Sequence, residues 1–389
     1  MYYLFFILTL EIQLLTLYQA VIKTIPMKRF VFLTLLIFGS YPTNAQNGFS
    51  DILAAGLEAA DKYANSYTAP ASEAFTYNLA SGWYESGKVL KAGKLKLQIK
   101  VQGTFAPDEK KSFVLDPLEY ERIIQSSYDN TNNPPAAISV TFGDGSTTPR
   151  LIATALGENN PEESLIIRST ESNTNLLLQE DIITLAQGIG STGLDVVPSA
   201  FFQVGVGLGA GLEVKARFIP KIETDEVKTG LYGAGLQWEF TKLFDNEDGT
   251  NNLPVSVSVL GAFTRLDASY DFEDGAVVEG KDQLIETKTT AFNVAAIAST
   301  NFKVINFYGG FNYIVGTTTT DLKGTYTFQS NTVIFPTATT VKDPLSLQTD
   351  VSGVLGTIGT KLTLGAFNLS ADYTFGEYNT ASASLFFRI

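Results

Sequence analysis

Charged residues at alternate positions are the first candidates for chemistry in this chain. Three of them, Glu213, Lys215 and Arg217, share one segment, and Gln237 and Glu239 show the same spacing in a later one. Side chains two positions apart on a β-strand point to the same face, so we expect these five to meet on one polar surface. They could form a salt-bridged interior filling, or a charged ligand-binding site in which Lys215 and Arg217 hold a carboxylate.

The side chains that hydrolytic enzymes use most are missing from the sequence. The chain has no histidine, whose pKa lies near working pH and which membrane-embedded hydrolases generally use as acid or base. It has no cysteine either, which excludes disulfides, thiolate metal ligands and a lipid-anchored cysteine. We therefore expect no enzyme activity, and the sequence indicates no cofactor.

Two acidic segments resemble calcium-binding loops in composition but not in spacing. Asp245–Gly249 and Asp271–Gly275 both read Asp-X-Glu-Asp-Gly. An EF-hand loop has glycine at its sixth position and glutamate at its twelfth, whereas here glycine is fifth and the twelfth residue is Ser256 or Asp282. Because Asp-Gly is common in turns, we interpret both segments as solvated turns and expect no metal site.

The composition and the hydrophobic pattern indicate a protein that crosses a membrane with strands. Charged residues make up 17% of the chain, against about 25% in soluble proteins. After residue 45 no stretch approaches the roughly 20 apolar residues of a membrane helix. From Phe202 to Phe218 every even position is apolar or small, and the odd positions are polar or glycine. A wall with one face in lipid and the other on a polar interior has this pattern.

The same alternation predicts the elements that must position the charged residues. A first strand is expected at Lys94–Phe105, and nine more at 199–209, 211–221, 229–243, 254–273, 286–301, 303–318, 351–365, 367–376 and 379–389. Weaker candidates at 137–143, 150–156, 163–169 and 175–179 are interrupted by prolines. We therefore predict an all-β fold, a transmembrane antiparallel up-and-down β-barrel over residues 94–389, with ten, twelve or fourteen strands.

The connections and the last strand predict the orientation of the barrel in the membrane and its location in the cell. Short turns at 209–211, 300–302 and 365–367 fall on the side of the C-terminus, and the longer connections at 222–228, 274–285 and 319–350 fall on the other side. Outer-membrane barrels have short turns in the periplasm and long loops outside, although the connection 244–253 is long for a periplasmic one. The alternating Leu385, Phe387 and Ile389 are expected to be the signal for the barrel-assembly machinery. We expect the outer membrane of a Gram-negative bacterium, with its lipid as partner.

The first 93 residues divide into two further segments. Residues 1–45 are interpreted as an upstream extension plus a signal peptide, with Met27 as the start and cleavage after Ala45. Residues 46–93 are expected to form two short helices, one beginning at Ser50 and one at Ser72–Tyr84. These helices could plug the barrel, or the segment could be a disordered leader.

The net charge argues against nucleic acid as a partner. The whole chain carries −13, and residues 1–45 hold three basic residues and one acidic residue, so the mature chain would carry −15. Nucleic-acid-binding proteins present basic surfaces. The acidic residues concentrate in the expected loops, which fits solvated loops on an embedded barrel.

Several stretches resemble FadL-type channels and PorV-like barrels, a group of Gram-negative outer-membrane proteins. They are the helical leader Ser50–Tyr67, the segment Asn78–Tyr84, the strand Leu212–Ile222 and the closing Ala371–Asn379. The resemblance implies fourteen strands and an N-terminal hatch inside the barrel, at residues 48–92. It also implies passage of hydrophobic molecules, but it assigns no binding residues to this chain.

Two functions are consistent with the sequence. The first is a channel or binding barrel for a small hydrophobic or amphipathic compound, which requires an apolar pocket between plug and wall. The second is a non-transporting barrel, either an accessory of a secretion machinery or a surface-interaction scaffold that works through loops such as 319–350. Oligomeric state is not indicated by the sequence.

Overall fold

The structure is a computed structural model that describes residues 56–131, 136–194, 196–224, 226–244, 253–272, 279–328 and 339–388. The predicted signal peptide, the acidic segment 245–249 and Ile389 lie outside these ranges. Within them, the helices are too short or too polar to cross a membrane.

The architecture is a closed barrel of ten antiparallel strands. The barrel strands are β1 (Leu95–Phe105), β7 (Val196–Gly209), β8 (Leu212–Glu223), β9 (Val227–Glu239), β10 (Val255–Asp271), β11 (Glu279–Thr300), β12 (Ile305–Phe328), β14 (Leu345–Leu364), β15 (Phe367–Phe375) and β16 (Asn379–Arg388). Each pairs with the barrel strands before and after it in the chain, and β1 pairs with both β7 and β16, so the ring is complete. A short extra strand, β13 (Thr339–Lys342), pairs with β12. The predicted fold class is confirmed.

The prediction of fourteen strands, which the resemblance implies, is wrong, because the four weak candidate strands do not enter the barrel. They form β3 (Ala136–Phe142), β4 (Arg150–Ala153), β5 (Ser164–Glu171) and β6 (Leu177–Thr184), joined by β2 (Ser112–Leu115) and helix α2 (Pro117–Thr131). With four to eight residues, they are shorter than the roughly 9–11 residues that cross a bilayer. Phe105 of β1 pairs directly with Val196 of β7, so no barrel strand can lie between them. We call residues 106–194 the cap.

Among its described residues, from 56 onward, the N-terminal segment contains one helix rather than the two predicted, and the predicted start at Ser50 lies outside the described residues. Helix α1 (Leu57–Ala80) continues through Pro70 and ends at Ser81, whose hydroxyl donates to the Tyr77 carbonyl. Gly82 follows with a φ of +73°, a left-handed conformation that ends the helix before the predicted Tyr84. Residues 81–94 then continue to β1 without regular structure. We call residues 57–94 the plug.

The barrel wall is much taller on one side than on the other. β11, β12 and β14 have 22, 24 and 20 residues, whereas β15, β16 and β1 have 9 to 11. Much of the segment 319–350, which was expected to be a loop, forms strands instead. Its β-branched threonines favour strand structure and pair with β11 and β14. The tall side carries Leu322, Tyr326 and Leu345 into the apolar core of the cap. We call this end the cap end, and the opposite end, where Arg388 lies, the terminal end.

Candidate functional site

The plug runs through the barrel from the cap end to the terminal end. At the cap end the Lys62 ammonium lies 2.8 Å from a carboxylate oxygen of Glu119 in α2. In mid-barrel the Asn78 amide donates to Thr104 and to the Val197 carbonyl. At the terminal end the Gly93 amide donates to the Gly207 carbonyl. The plug is thus hydrogen-bonded along its whole length.

Arg217, one of the five predicted site residues, holds the end of helix α1. Its guanidinium donates to the carbonyl oxygens of Leu79 and Ser81, both at 3.0 Å. It lies between two aromatic rings, 4.1 Å from that of Trp83 and 3.8 Å from that of Phe201. A cation at a helix C-terminus satisfies the last carbonyls and opposes the helix dipole. Arg217 is therefore a fixed cap for the plug helix.

The other four predicted residues also contact the plug. The Lys215 ammonium donates to the Trp83 carbonyl at 3.0 Å, and the Gln237 amide donates to the Ser86 carbonyl at 2.9 Å. The carboxylates of Glu213 and Glu239 accept hydrogen bonds from the amides of Leu90 and Val89, each at 2.9 Å. The structure therefore brings all five together in the lumen, as predicted, with the plug backbone as their shared partner.

Several charged residues of the lumen were not predicted as site residues. Lys96 of β1 pairs with Glu213 at 2.9 Å and forms a close ion pair with Glu85 of the plug. Lys100 pairs with Asp372 at 3.3 Å. Lys96 and Lys100 alternate along β1 as Glu213 and Lys215 do along β8, so the same spacing could have identified them. Buried charges are tolerated only when they are paired, and Glu85 makes the plug one of the partners.

Glycines of the wall leave room for the aromatic side chains of the plug. A Cβ atom on Gly235 would lie 3.2 Å from the Trp83 ring, and one on Gly310 would lie 2.4 Å from the Tyr84 hydroxyl. A Cβ on Gly353 would lie 2.6 Å from the Tyr77 hydroxyl. The alternating glycines therefore complement the plug rather than line an open channel.

Plug and wall are in direct contact where an apolar pocket was expected. Trp83 and Tyr84 are only 1% and 4% exposed. An apolar cavity does exist in the cap, lined by Tyr63, Tyr120 and Ile124 among others, but its volume is about 10 Å³. A single water molecule needs about that much space. The cavity is too small for a hydrophobic ligand.

A polar junction joins the cap, the plug and the barrel. The Lys110 ammonium of the cap lies 2.7 Å from Glu73 of α1 and 2.9 Å from Glu377, in the turn between β15 and β16. Tyr77 donates to Glu377, and Tyr378 donates to Glu73. The hydrogen bond from Lys110 lowers the pKa of Glu377 below its usual range. The junction therefore favours the ionised carboxylate.

The outer wall has the features of a surface embedded in lipid. Large apolar side chains point outward from every barrel strand, and the rings of Trp238, Phe307, Tyr232 and Phe292 are among them. Toward the cap end, outward positions instead hold the ion pairs Arg265–Asp267, Lys288–Glu286 and Lys323–Asp321. An apolar outer band with charges beyond it is typical of outer-membrane barrels.

A family model described as "Family of unknown function (DUF6588)" matches residues 27–389. The chain belongs to this family. No curated protein matches this DUF6588 member. The description of the family gives no function, so the resemblance to FadL-type and PorV-like barrels stays a prediction.

The solved structures that are similar to this DUF6588 chain include three outer-membrane proteins of Gram-negative bacteria, at low identity. Ail, the attachment invasion locus protein of Yersinia pestis, is 8% identical, with 77% of this chain and 99% of that chain covered and a TM-score of 0.24. The translocator domain of the autotransporter NalP from Neisseria meningitidis is 11% identical (77% and 89% covered, TM-score 0.24). The outer membrane protease OmpT from Escherichia coli is 8% identical (78% and 100% covered, TM-score 0.23).

Proposed function

We propose that this protein is a non-conducting barrel of the Gram-negative outer membrane that displays its cap as a surface-interaction scaffold. The observation that carries the proposal is the filled lumen, in which the five predicted site residues bind the plug backbone. The apolar outer band supports the location. With the predicted orientation, the terminal end faces the periplasm and the cap faces outside.

The cap offers an exposed apolar edge to a partner. Among the strands that the structure describes, β6 pairs only with β5, and Leu177, Leu178 and Ile182 on it are about half or more exposed. Such an edge can accept an added strand. The cap contains thirteen acidic and five basic residues, so we expect a protein segment that is extended, basic and partly apolar.

Conductance of the purified full-length chain in planar bilayers tests the closed lumen. We expect no stepwise conductance under conditions in which a general porin conducts. Frequent steps, or uptake of a hydrophobic dye into liposomes that depends on the protein, would favour the channel instead. Transport of hydrophobic compounds requires the plug to leave the lumen, which breaks the contacts of Arg217 and Glu85. No enzyme activity is proposed.

A capless variant tests the scaffold. Because Phe105 and Val196 are paired, an Asn-Gly turn can replace residues 106–195 and join β1 to β7 as a two-residue hairpin. The barrel should still assemble and migrate as a heat-modifiable band. The intact protein should bind an alternating Lys-Val peptide, and this binding should be lost in the capless variant and in Ile182→Asp. An alternating Glu-Val peptide should bind neither the intact nor the capless protein. Equal binding of the Lys-Val peptide to intact and capless protein contradicts the proposal.

A further inference from the structure

Lys361 of β14 is the one buried cation of the described lumen without a partner. Its side chain is 4% exposed, and it makes no hydrogen bond or ion pair with any described residue. The other buried cations are all engaged: Lys96, Lys100 and Lys215 by carboxylates, and Arg217 by carbonyl groups of the plug. A largely buried cationic side chain without an ion-pair partner is unfavourable, so Lys361 requires an explanation.

The charges of the lumen do not balance at Lys361. The buried charged side chains of the described chain are four carboxylates and five cations. Glu85 and Glu213 lie within electrostatic range of Lys361, but Glu85 pairs with Lys96, and Glu213 pairs with Lys96 and Lys215. Asp372 accepts from Lys100 and from the Tyr308 hydroxyl. One positive charge is therefore left over.

The surroundings of Lys361 are polar and contain a second cation. In the strand register it lies opposite Asn306 of β12 and Ser370 of β15, whose side chains share the lumen face. Arg388, at the end of β16, is within electrostatic range. Its Nε is buried without a hydrogen-bond partner, and the side chain is partly exposed at the terminal end. Arg388 at the rim and Lys361 further in are thus two cations within electrostatic range of each other, and neither forms an ion pair with a carboxylate of the described residues.

Exposed lysines surround the same end of the barrel. The plug leaves the lumen through a segment that carries Lys88, Lys91 and Lys94, all exposed, and Lys303 is exposed in the turn before β12. These charges raise the local concentration of anions at the terminal end. An anion that enters there meets Arg388 first and Lys361 next.

We infer that Lys361 and Arg388 form an anion-binding site at the terminal end of the lumen, which takes a phosphate or carboxylate group. Lysine and arginine side chains bind such groups through charge-assisted hydrogen bonds. The neighbouring Asn306 amide donates to the Phe302 carbonyl, and the Ser370 hydroxyl is hydrogen-bonded to that of Ser384, so the two cations are the groups that would hold the anion. The group could belong to a free anion or to the headgroup of an anionic lipid. The site is separate from the cap and does not depend on the scaffold function.

The test measures the thermal unfolding midpoint of the full-length barrel in detergent, by the heat-modifiable band, in sodium phosphate and in sodium chloride of equal ionic strength. A ligand that binds only the folded state raises this midpoint. We expect phosphate to raise it in the wild type and in Lys303→Met. Lys361→Met should weaken phosphate binding about tenfold or more, as expected for the loss of one charge-assisted hydrogen bond. Lys361→Arg should retain most of the binding, and so controls for loss of folding.

A second arm identifies the source of the anionic group. The protein is reconstituted in phosphatidylcholine vesicles with or without phosphatidylglycerol. If the ligand is a lipid headgroup, phosphatidylglycerol raises the midpoint through Lys361 and free phosphate does not; if it is a free anion, the reverse holds. A Lys361-dependent shift in either arm supports the site. Shifts of equal size in the wild type and Lys361→Met, or no shift in either arm, overturn it.

Discussion

The two halves of helix α1 lie in opposite environments. The first half packs into the apolar core of the cap, where Ala59, Ala60 and Tyr63 are buried against α2 and the β3–β5–β6 sheet. The second half and the segment that follows it lie in the lumen, where charged and polar groups of the wall hold them. Apolar packing is tolerant of small changes in shape, whereas buried polar networks fail when one partner is removed. Substitutions in the cap should therefore destabilise the protein less than substitutions in the plugged lumen.

The largest effect is expected when Arg217 is replaced by methionine. The substitution removes the Arg217 donor from the buried Ser81 carbonyl, leaves the Leu79 carbonyl with the Thr264 hydroxyl as its side-chain donor, and removes the stacking on Trp83 and Phe201. Loss of one partner from such a buried network costs about 3–5 kcal/mol. Unfolding in urea from lipid vesicles measures the loss.

Arg265→Met is the matched control for Arg217. Arg265 pairs with Asp267 on the outer side of the wall, and both side chains are more than one-third exposed. Such pairs contribute about 0–1 kcal/mol after screening by solvent. Equal losses for the two arginine variants would contradict the importance of the plug contacts.

In the cap, Ile124→Ala should have a smaller and more local effect. Ile124 is 1% exposed and already borders the small apolar cavity, so we expect about 2–3 kcal/mol, toward the low end for a buried isoleucine. Limited proteolysis should cut the cap faster, while the barrel keeps its heat-modifiable migration. A variant whose barrel also unfolds would show that the two halves of α1 are not independent.

The close contact between Gly235 of the wall and the plug provides a more specific test of packing in the lumen. Gly235→Val inserts a side chain against the Trp83 ring, and overpacking of this kind costs about 1–3 kcal/mol. Gly261→Val is the control, because a Cβ atom at Gly261 has no heavy atom within 4 Å. The double variant Gly235→Val with Trp83→Ala should be less destabilised than the sum of the single variants. Additive losses would count against direct contact.

The barrel could be predicted from the sequence because alternation is a local signal. A period of two identifies a strand without knowledge of its partners, and it is enough to place the five predicted site residues on one face. Two other features depend on long-range contacts. The segment 81–94 has no periodicity, since its path is set by Arg217, Lys215 and Glu213. The cap strands are short and proline-flanked, so the pattern alone could not assign them to a separate sheet.

The smallest predicted effect on stability concerns Glu377 in the polar junction that joins the cap, the plug and the barrel. The hydrogen bond from Lys110 lowers the pKa of Glu377, so the folded state favours the ionised carboxylate. Its contribution is fully present above the unfolded pKa of about 4.3 and is lost as the pH falls through the lower folded pKa. The Glu377 side chain is 47% exposed, so we expect less than about 1 kcal/mol after screening.

Comparison of the wild type with Glu377→Gln isolates this contribution from the other carboxylates. The two proteins should differ in unfolding free energy at pH 7, and the difference should be smaller at pH 3, which lies below the unfolded pKa. Lys110→Met should remove the same pH-dependent difference, because it removes the donor that lowers the pKa. Since the cap half of α1 lacks such a carboxylate pair in its apolar core, Ile124→Ala should shift stability equally at both pH values. A difference between wild type and Glu377→Gln that does not change with pH would place the origin of the effect in packing rather than in charge.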